Sequence, residues 1–192
     1  HHGADKHLFK PQPAVGPEKY FFHISNGEPR KNIDRIVRAF RQLRRNENVE
    51  LVLKLPKEIA SRYGSVDGVR VLSGTFTTDE LADLYRHALA FVFPSLYEGF
   101  GMPIIEAMAS GCPVITTNHG SLAEAGGDAA LLVSGTSIDE MADALARMQQ
   151  PGVQAAFRAR GLEHARNFRW AGMARQLATS IEGLLQRASA RE

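Results

Sequence analysis

The sequence predicts an α/β fold: an open parallel, Rossmann-like sheet flanked by helices. The main observation is that short apolar runs alternate with longer segments whose apolar residues recur at helical spacing. Such alternation is typical of a parallel sheet covered by helices. The composition agrees, because 44% of the 192 residues are hydrophobic and 23% are charged, as in an average folded domain.

Six segments are predicted to be strands because each is a short apolar run bounded by polar or turn-forming residues. They are residues 20–24, 49–55, 69–72, 90–93, 113–116 and 129–133.

Helices are predicted where a capping residue precedes apolar residues at helical spacing. Asn32 is expected to cap the first helix, which carries its apolar stripe between residues 33 and 43. Thr77 with Glu80, and Ser137 with Glu140, have the spacing of capping boxes.

Three further helices are predicted from their boundary residues. They span residues 103–110, 153–166 and 170–187, and the first of them ends before Gly111. The segment 118–120 is interpreted as a turn, and the alternative is that it lines a crevice.

Charge and cysteine content exclude several classes of protein. The formal charge of +2 gives no basis for nucleic-acid binding, and one cysteine excludes an intrachain disulfide. The seven histidines do not cluster with carboxylates at metal-ligand spacing, so we predict no protein-built metal site. We also expect no cofactor. The longest apolar run, 88–93, is too short to span a bilayer.

Common enzyme motifs are also missing from the sequence. The first strand is not followed by G-x-G-x-x-G, and the chain contains neither a P-loop nor a G-x-S-x-G elbow. These absences disfavour a dinucleotide oxidoreductase, a P-loop ATPase and a hydrolase of the elbow type. In open parallel sheets, ligands bind at the carboxyl ends of the strands, so the loops after the strands are the candidates.

The first candidate loop, 27–32, follows the first strand. It begins with Gly27 and places two adjacent cations, Arg30 and Lys31, before a helix. Arginine can grip phosphate bidentately and lysine acts as a point charge, so the loop suits an anionic ligand. Two solvated surface cations are the alternative interpretation.

The second candidate loop follows the fourth strand and leads into a helix. Gly99 and Gly101 permit close backbone approach, and Pro103 suits a first helical turn, where free N–H groups favour anions. Glu98 precedes this turn and Glu106 follows it, so both carboxylates can face one crevice. A carboxylate suits a vicinal diol, although Glu106 could also be an ordinary surface residue.

These loops resemble the donor-binding half of retaining family-4 glycosyltransferases of the GT-B architecture. The resemblance lies in the E-x7-E pattern from Glu98 to Glu106, the turn 27–32 and the helix-to-strand passage 109–115. Phe168 and Trp170 resemble an aromatic pair before the family's final helix. The resemblance covers nearly the whole chain and is specific for the family, but not for its substrate.

The resemblance implies roles for the residues of both loops. Arg30 and Lys31 would grip the donor diphosphate, and Glu106 would bind the ribose hydroxyls. Glu98, together with backbone N–H groups at the start of the helix, would position the transferred sugar and the distal phosphate. The donor-binding residues expected in addition to Glu106 are Gly27, Phe100, Gly101, Met102, Pro103, Lys54, Gly74 and Phe76, the last three near the nucleobase.

The resemblance also implies a domain arrangement and partners. Residues 1–18 are expected to be an interdomain linker and 19–192 the nucleotide-sugar domain, whose helix 170–187 packs back toward an N-terminal domain outside this chain. That domain would bind a glycan or a lipid-linked acceptor.

The expected donor is a nucleoside-diphosphate hexose, with GDP-mannose as the first guess and UDP-glucose as the next. We expect the parent enzyme to act in the cytoplasm, in surface polysaccharide synthesis, with a peripheral contact to the inner face of the membrane as an open alternative. A sugar-nucleotide epimerase of the same fold, or a module that only binds sugar nucleotides, also remains open.

Overall fold

The fold was determined as a computed structural model that describes residues 9–10, 19–44, 48–168, 179 and 181–182. Six parallel strands form one sheet in the order β3-β2-β1-β4-β5-β6. This arrangement confirms the predicted fold class. The strands are β1 (Tyr20–Ile24), β2 (Glu50–Lys54), β3 (Val69–Leu72), β4 (Ala90–Phe93), β5 (Val114–Thr117) and β6 (Ala130–Val133).

Helices connect these strands. They are α1 (Ile33–Arg44), α2 (Lys57–Ala60), α3 (Thr78–His87), α4 (Met102–Ala109), α5 (Gly120–Gly126), α6 (Ile138–Met148) and α7 (Pro151–Ala165), with 3₁₀ turns at Pro29–Lys31 and Gly127–Ala129. None of the helices in the described part of the chain is both long and apolar enough to cross a membrane.

The core has two layers because side chains alternate between the faces of each strand. Phe21 belongs to the layer that packs against α1 and α6, whereas its neighbour Phe22 belongs to the layer under α3 and α4. In the second layer, the Tyr85 ring lies edge-on to Phe22 and Phe91, with centroids 5.4 and 5.0 Å away. These aromatic contacts fix β1 and β4 against α3.

The order of the strands reverses between β1 and β4. Phe21 pairs with Ala90 and Phe22 with Phe91, so the carboxyl ends of the two strands lie side by side. The connections from β1 and β4 then leave toward opposite sides of the sheet, which opens a crevice at this edge. Both candidate loops start at this crevice.

Several details differ from the predictions. Helix α5 (residues 120–126) was not predicted, and of the segment 118–120, interpreted as a turn, residues 118 and 119 form a bend and only Gly120 belongs to the helix. Helix α7 begins at Pro151, two residues earlier than predicted, because proline is tolerated in a first turn. The capping box of Thr77 is confirmed, whereas Glu140 bonds the Ser134 N–H at 2.8 Å and leaves Ser137 a one-sided cap.

The termini are described only in part. Phe9, in the segment predicted to be a linker, is buried with its ring 6.2 Å from Tyr85, and the Lys10 carbonyl accepts from Arg86 at 3.4 Å. The predicted helix 170–187 lies outside the described residues apart from positions 179, 181 and 182, which are helical. Trp170 also lies outside them.

The sequence predicted that Asn32 caps α1, but its side chain does not do so. Its backbone has a left-handed φ of 65°, and its buried side-chain amide donates to the carbonyls of Pro94 at 2.9 Å and Gly135 at 2.7 Å. Its side-chain oxygen accepts from the Arg35 guanidinium at 2.8 Å instead of from a helix N–H. Asn32 therefore ties the start of α1 to the segments that follow β4 and β6.

His23, on β1, is a second buried polar residue near the crevice. Its Nδ1 lies 2.8 Å from the Val92 carbonyl, which can only accept, so this nitrogen carries the proton of the neutral ring. Burial lowers the pKa of His23 to about 4. The hydrogen bond to Val92 raises the pKa but does not offset burial, and the charge of Lys31 lowers it further. The folded protein therefore keeps this histidine neutral.

The two functions of Asn32 can be separated by substitution. We expect Asn32→Gly to lower the free energy of unfolding by about 2–4 kcal/mol, because it leaves one buried and one partly buried carbonyl without their donor. Asn32→Ala should cost roughly 1 kcal/mol more, because alanine disfavours the left-handed backbone. Urea unfolding measures both differences, and equal stability of the two variants would contradict the assignment of backbone strain to this position.

His23 predicts how stability depends on pH. The unfolded chain binds a proton at His23 near pH 6.5 and the folded chain only near pH 4, so stability should fall as the pH drops between these values. A shift of this size corresponds to roughly 3 kcal/mol. In urea unfolding at pH 7 and 4.5, wild type should lose more stability than His23→Gln, whose amide can still donate to Val92. Parallel losses in the two proteins would show that His23 does not cause the pH dependence.

Candidate functional site

Arg30, Lys31 and Glu98 form a compact charge cluster in the crevice between β1 and β4. The Glu98 carboxylate accepts from Arg30 at 2.6 Å through one oxygen and from Lys31 Nζ at 2.6 Å through the other. Lys31 and Glu98 are mostly buried, with 13% and 12% of their side chains exposed, while Arg30 is 29% exposed. The structure thus brings together the three residues expected to carry the chemistry.

The cations hold Glu98 in its charged form. Burial raises the pKa of this carboxyl, but hydrogen bonds from Lys31 and Arg30 outweigh burial and leave the pKa below its usual range. Glu28 also accepts from Arg30, at 2.5 Å, and this contact lowers the pKa of Glu28. Two cations therefore face two carboxylates, so the cluster is close to neutral as a whole.

Backbone contacts join the two candidate loops. The Leu96 N–H donates to the Arg30 carbonyl at 2.8 Å, and the Arg30 guanidinium donates back to the Tyr97 carbonyl at 3.2 Å. The same guanidinium lies 5.6 Å from the centroid of the Tyr97 ring, which is 70% exposed. The position of Arg30 therefore depends on both loops.

Gly101 shapes the turn from the second loop into α4. Its φ is +101°, and a Cβ at this position would lie 2.8 Å from Leu122 on α5, so both the backbone and the neighbouring helix exclude a side chain. Met102 begins α4 and Pro103 occupies its first turn, as predicted. The first N–H groups of a helix have no acceptor within the helix and favour an anion at this end.

Glu106 lies on α4, one turn beyond these residues. It is half-buried, whereas the alternative interpretation is an ordinary surface residue of the helix. Burial raises the pKa of this carboxyl, partly offset by the hydrogen bond from the Tyr85 hydroxyl at 3.5 Å. Glu98 and Glu106 thus have unlike surroundings: two cations surround the former, while the latter has one neutral donor.

The residues expected near the nucleobase lie at the ends of β2 and β3. Lys54 Nζ is 5.7 Å from the centroid of the Phe76 ring, and the Lys54 carbonyl accepts from the Ser25 N–H at 3.0 Å, which links β2 to the first loop. Gly74 has a φ of +112° with open space where a side chain would be. Lys54 and Phe76 are brought together, one strand away from the charge cluster.

Phe100 and Gly27 occupy the edges of the site. The Phe100 ring lies 5.8 Å from Phe168, the described member of the predicted aromatic pair. Gly27 has a φ of +89°, and its N–H donates to the Ser25 hydroxyl at 2.9 Å. Within the described residues, no three histidine, cysteine, aspartate or glutamate side chains gather closely enough to hold a metal ion.

Sequence reasoning missed three residues that position the cluster. Asn32 was assigned a capping function, Tyr97 was given no function, and Ser121 was not considered, although its hydroxyl donates to the Glu98 carbonyl at 2.8 Å. An asparagine directly after the two cations was a usable signal, because asparagine tolerates the left-handed backbone. Ser121 carried no signal, because its contact depends on α5.

Comparisons with known proteins indicate the family to which the chain belongs. The sequence profile of the family described as "Glycosyl transferases group 1" matches residues 5–160. The chain is 36% identical over 165 residues to an O-antigen chain mannosyltransferase B of Escherichia coli, covering 79% of this chain and 42% of that protein. It is 34% identical over 156 residues to an MMP alpha-(1->4)-mannosyltransferase of Mycolicibacterium hassiacum, covering 76% of this chain and 38% of that protein.

A solved structure is similar to this chain in fold. The fold superposes on sucrose-phosphate synthase from Thermosynechococcus elongatus with a TM-score of 0.78 and 25% identity, over 97% of this chain and 52% of the other. The chain therefore spans less than half the length of the two curated relatives and about half of this structure. Since the family profile covers well over half of its residues, the chain belongs to the glycosyl transferases group 1 family.

Proposed function

We propose that this chain is the donor-binding domain of a retaining glycosyltransferase that transfers a hexose from a nucleoside-diphosphate sugar. The observation that carries the proposal is the pair of cations, Arg30 and Lys31, held by one buried carboxylate at the carboxyl ends of β1 and β4. Two cations beside a helix N-terminus suit a diphosphate, whose negative charge grows as the sugar departs.

Glu98 would keep the cations in place before the donor arrives. The Glu98 carboxylate already fixes Arg30 and Lys31 at the crevice, so both cations would need little rearrangement when a diphosphate comes to share them. A carboxylate has about four lone-pair sites, which leaves acceptor capacity for hydroxyl groups of the transferred sugar. Glu98 can therefore hold the cations and orient the sugar together.

The same contacts make Glu98 a poor nucleophile. Its charge is already stabilised by two cations, and its pKa is lowered, so attack on the sugar carbon would be weak. This favours a mechanism in which the acceptor attacks from the face of the leaving group and the departing phosphate takes the proton. Arg30, Lys31 and the first turn of α4 would stabilise that phosphate.

Mannose is the proposed sugar and a glycan or lipid-linked molecule the proposed acceptor. The support for mannose is that the two curated relatives described above carry mannosyltransferase names. The acceptor would bind a second domain outside this chain, since the chain spans 42% and 38% of those relatives. A cytoplasmic enzyme of surface polysaccharide synthesis, with a contact at the inner face of the membrane, remains part of the proposal.

Calorimetric titration of the chain with GDP, UDP and ADP, without added metal, tests the proposal. We expect one of them to bind selectively, and Arg30→Ala with Lys31→Ala to weaken it on the order of 100-fold or more, because each charge-assisted contact contributes roughly 1.5–3 kcal/mol. A matched control replaces Arg147 and Arg166, which are exposed on α6 and near the end of α7. If both double variants bound the nucleotide with equal affinity, Arg30 and Lys31 would not be part of the binding site.

The proposed contact of Glu106 with the ribose is tested with a nucleotide that lacks the ribose hydroxyls. If it accepts from both hydroxyls, a 2′,3′-dideoxy nucleotide should bind the wild-type chain on the order of tenfold or more weaker than the parent nucleotide. Glu106→Ala should bind the two nucleotides about equally, because the acceptor is gone. A variant that still discriminated between them as strongly as wild type would place the ribose elsewhere.

A further inference from the structure

A groove in two parts, the α1 groove, follows α1 from the first candidate loop to the residues that lead into α6. Its first part, with a volume of about 360 Å³, is lined by Gly27 and Glu28 of the first loop and by the first half of α1. Its second part, about 850 Å³, is lined by the second half of α1 and by the residues that lead into α6. Arg38 lines both parts, so the two volumes meet at this residue.

Arginines of α1 line this groove at regular intervals. Arg35, Arg38, Arg41 and Arg44 recur every three residues, and Asp34 is the only acidic residue of the helix. Arg35 and Arg44 are engaged: the former donates to Asn32, and the latter pairs with an aspartate at 3.1 Å. They mark the two ends of the stripe.

The central pair, Arg38 and Arg41, is exposed and unpaired. Neither makes a hydrogen bond or an ion pair with any residue in the described part of the chain. Their Cα atoms are separated by about 4.5 Å along the helix axis, because three residues rise by that amount. Both arginines thus line the groove without a partner among the described residues.

The acidic residues that line the groove already have other partners, and Glu28 pairs with Arg30 at 2.5 Å. Asp34 accepts from Arg62 at 2.7 Å and from Tyr63 at 2.8 Å. Asp67 pairs with Arg44 at 3.1 Å, and Asp139 accepts from a glutamine of α1 at 3.0 Å. The positive charge of Arg38 and Arg41 is therefore left for a ligand.

We propose that this groove binds a soluble ligand that carries two or more phosphate groups. Guanidinium groups grip phosphate bidentately, and successive phosphates can meet Arg38 and Arg41 in turn. A concave surface suits an extended ligand better than a flat bilayer, whose headgroups reach protruding side chains first. The site uses other residues than the donor cations, so it does not depend on the proposed function.

Inorganic tripolyphosphate is the probe that tests the groove. The titrations use chains that also carry Arg30→Ala and Lys31→Ala, so that binding at the first loop cannot imitate binding in the groove. These chains carry Glu28→Gln as well, because Arg30→Ala would leave the Glu28 carboxylate unpaired in the groove. We expect Arg38→Gln with Arg41→Gln to reduce the affinity on the order of tenfold or more. Arg147→Gln with Arg166→Gln, which removes the same charge from exposed positions outside the groove, should leave it unchanged.

Three results would overturn the proposal. Equal losses of tripolyphosphate affinity in the groove variant and in its control would show that only the overall charge of the chain matters. Absence of tripolyphosphate binding would mean that the groove takes no soluble phosphate chain. Phosphatidylglycerol vesicles that bind the chain through Arg38 and Arg41, with tripolyphosphate failing to compete, would identify a membrane-facing surface instead. Circular dichroism confirms that the variants are folded.

Discussion

The parallel pairing of β1 with β4 is the constraint on which the site depends. These strands are separated by about 65 residues of sequence, yet Phe22 lies opposite Phe91 in the register. Because both strands run the same way, the loops that leave them begin at the same edge of the sheet. Without this pairing, Arg30 and Lys31 would be two isolated cations on one loop and Glu98 an isolated acid on another.

The packing around this pair keeps the loops close. Tyr85 fixes the strands from below through its contacts with Phe22 and Phe91, while Asn32 joins the loop segments above them. Arg30 and Lys31 in the first candidate loop would repel each other without a counterion. Glu98 supplies that counterion from β4, so packing of the core and electrostatics of the crevice support the same geometry.

The free domain has a preorganised and nearly neutral site. Preorganised charges are effective in catalysis because they need not reorient as the transition state forms. Under the proposed function, a diphosphate would share the cations with Glu98, so the sugar and the ribose of the donor would contribute to its selection. The α1 groove differs in this respect, since its central arginines have no counterion among the residues that the structure describes.

The sequence by itself determined the sheet class, all six strands and the two candidate loops, because burial periodicity and glycine positions are local properties. It also identified Arg30, Lys31, Glu98 and Glu106 through their spacing and their places beside strands. Tertiary structure decided which of these touch: Glu98 between both cations, Tyr85 beside Glu106, and Asn32 as a tie rather than a cap. Such contacts join residues far apart in the chain, and no local pattern encodes their pairing.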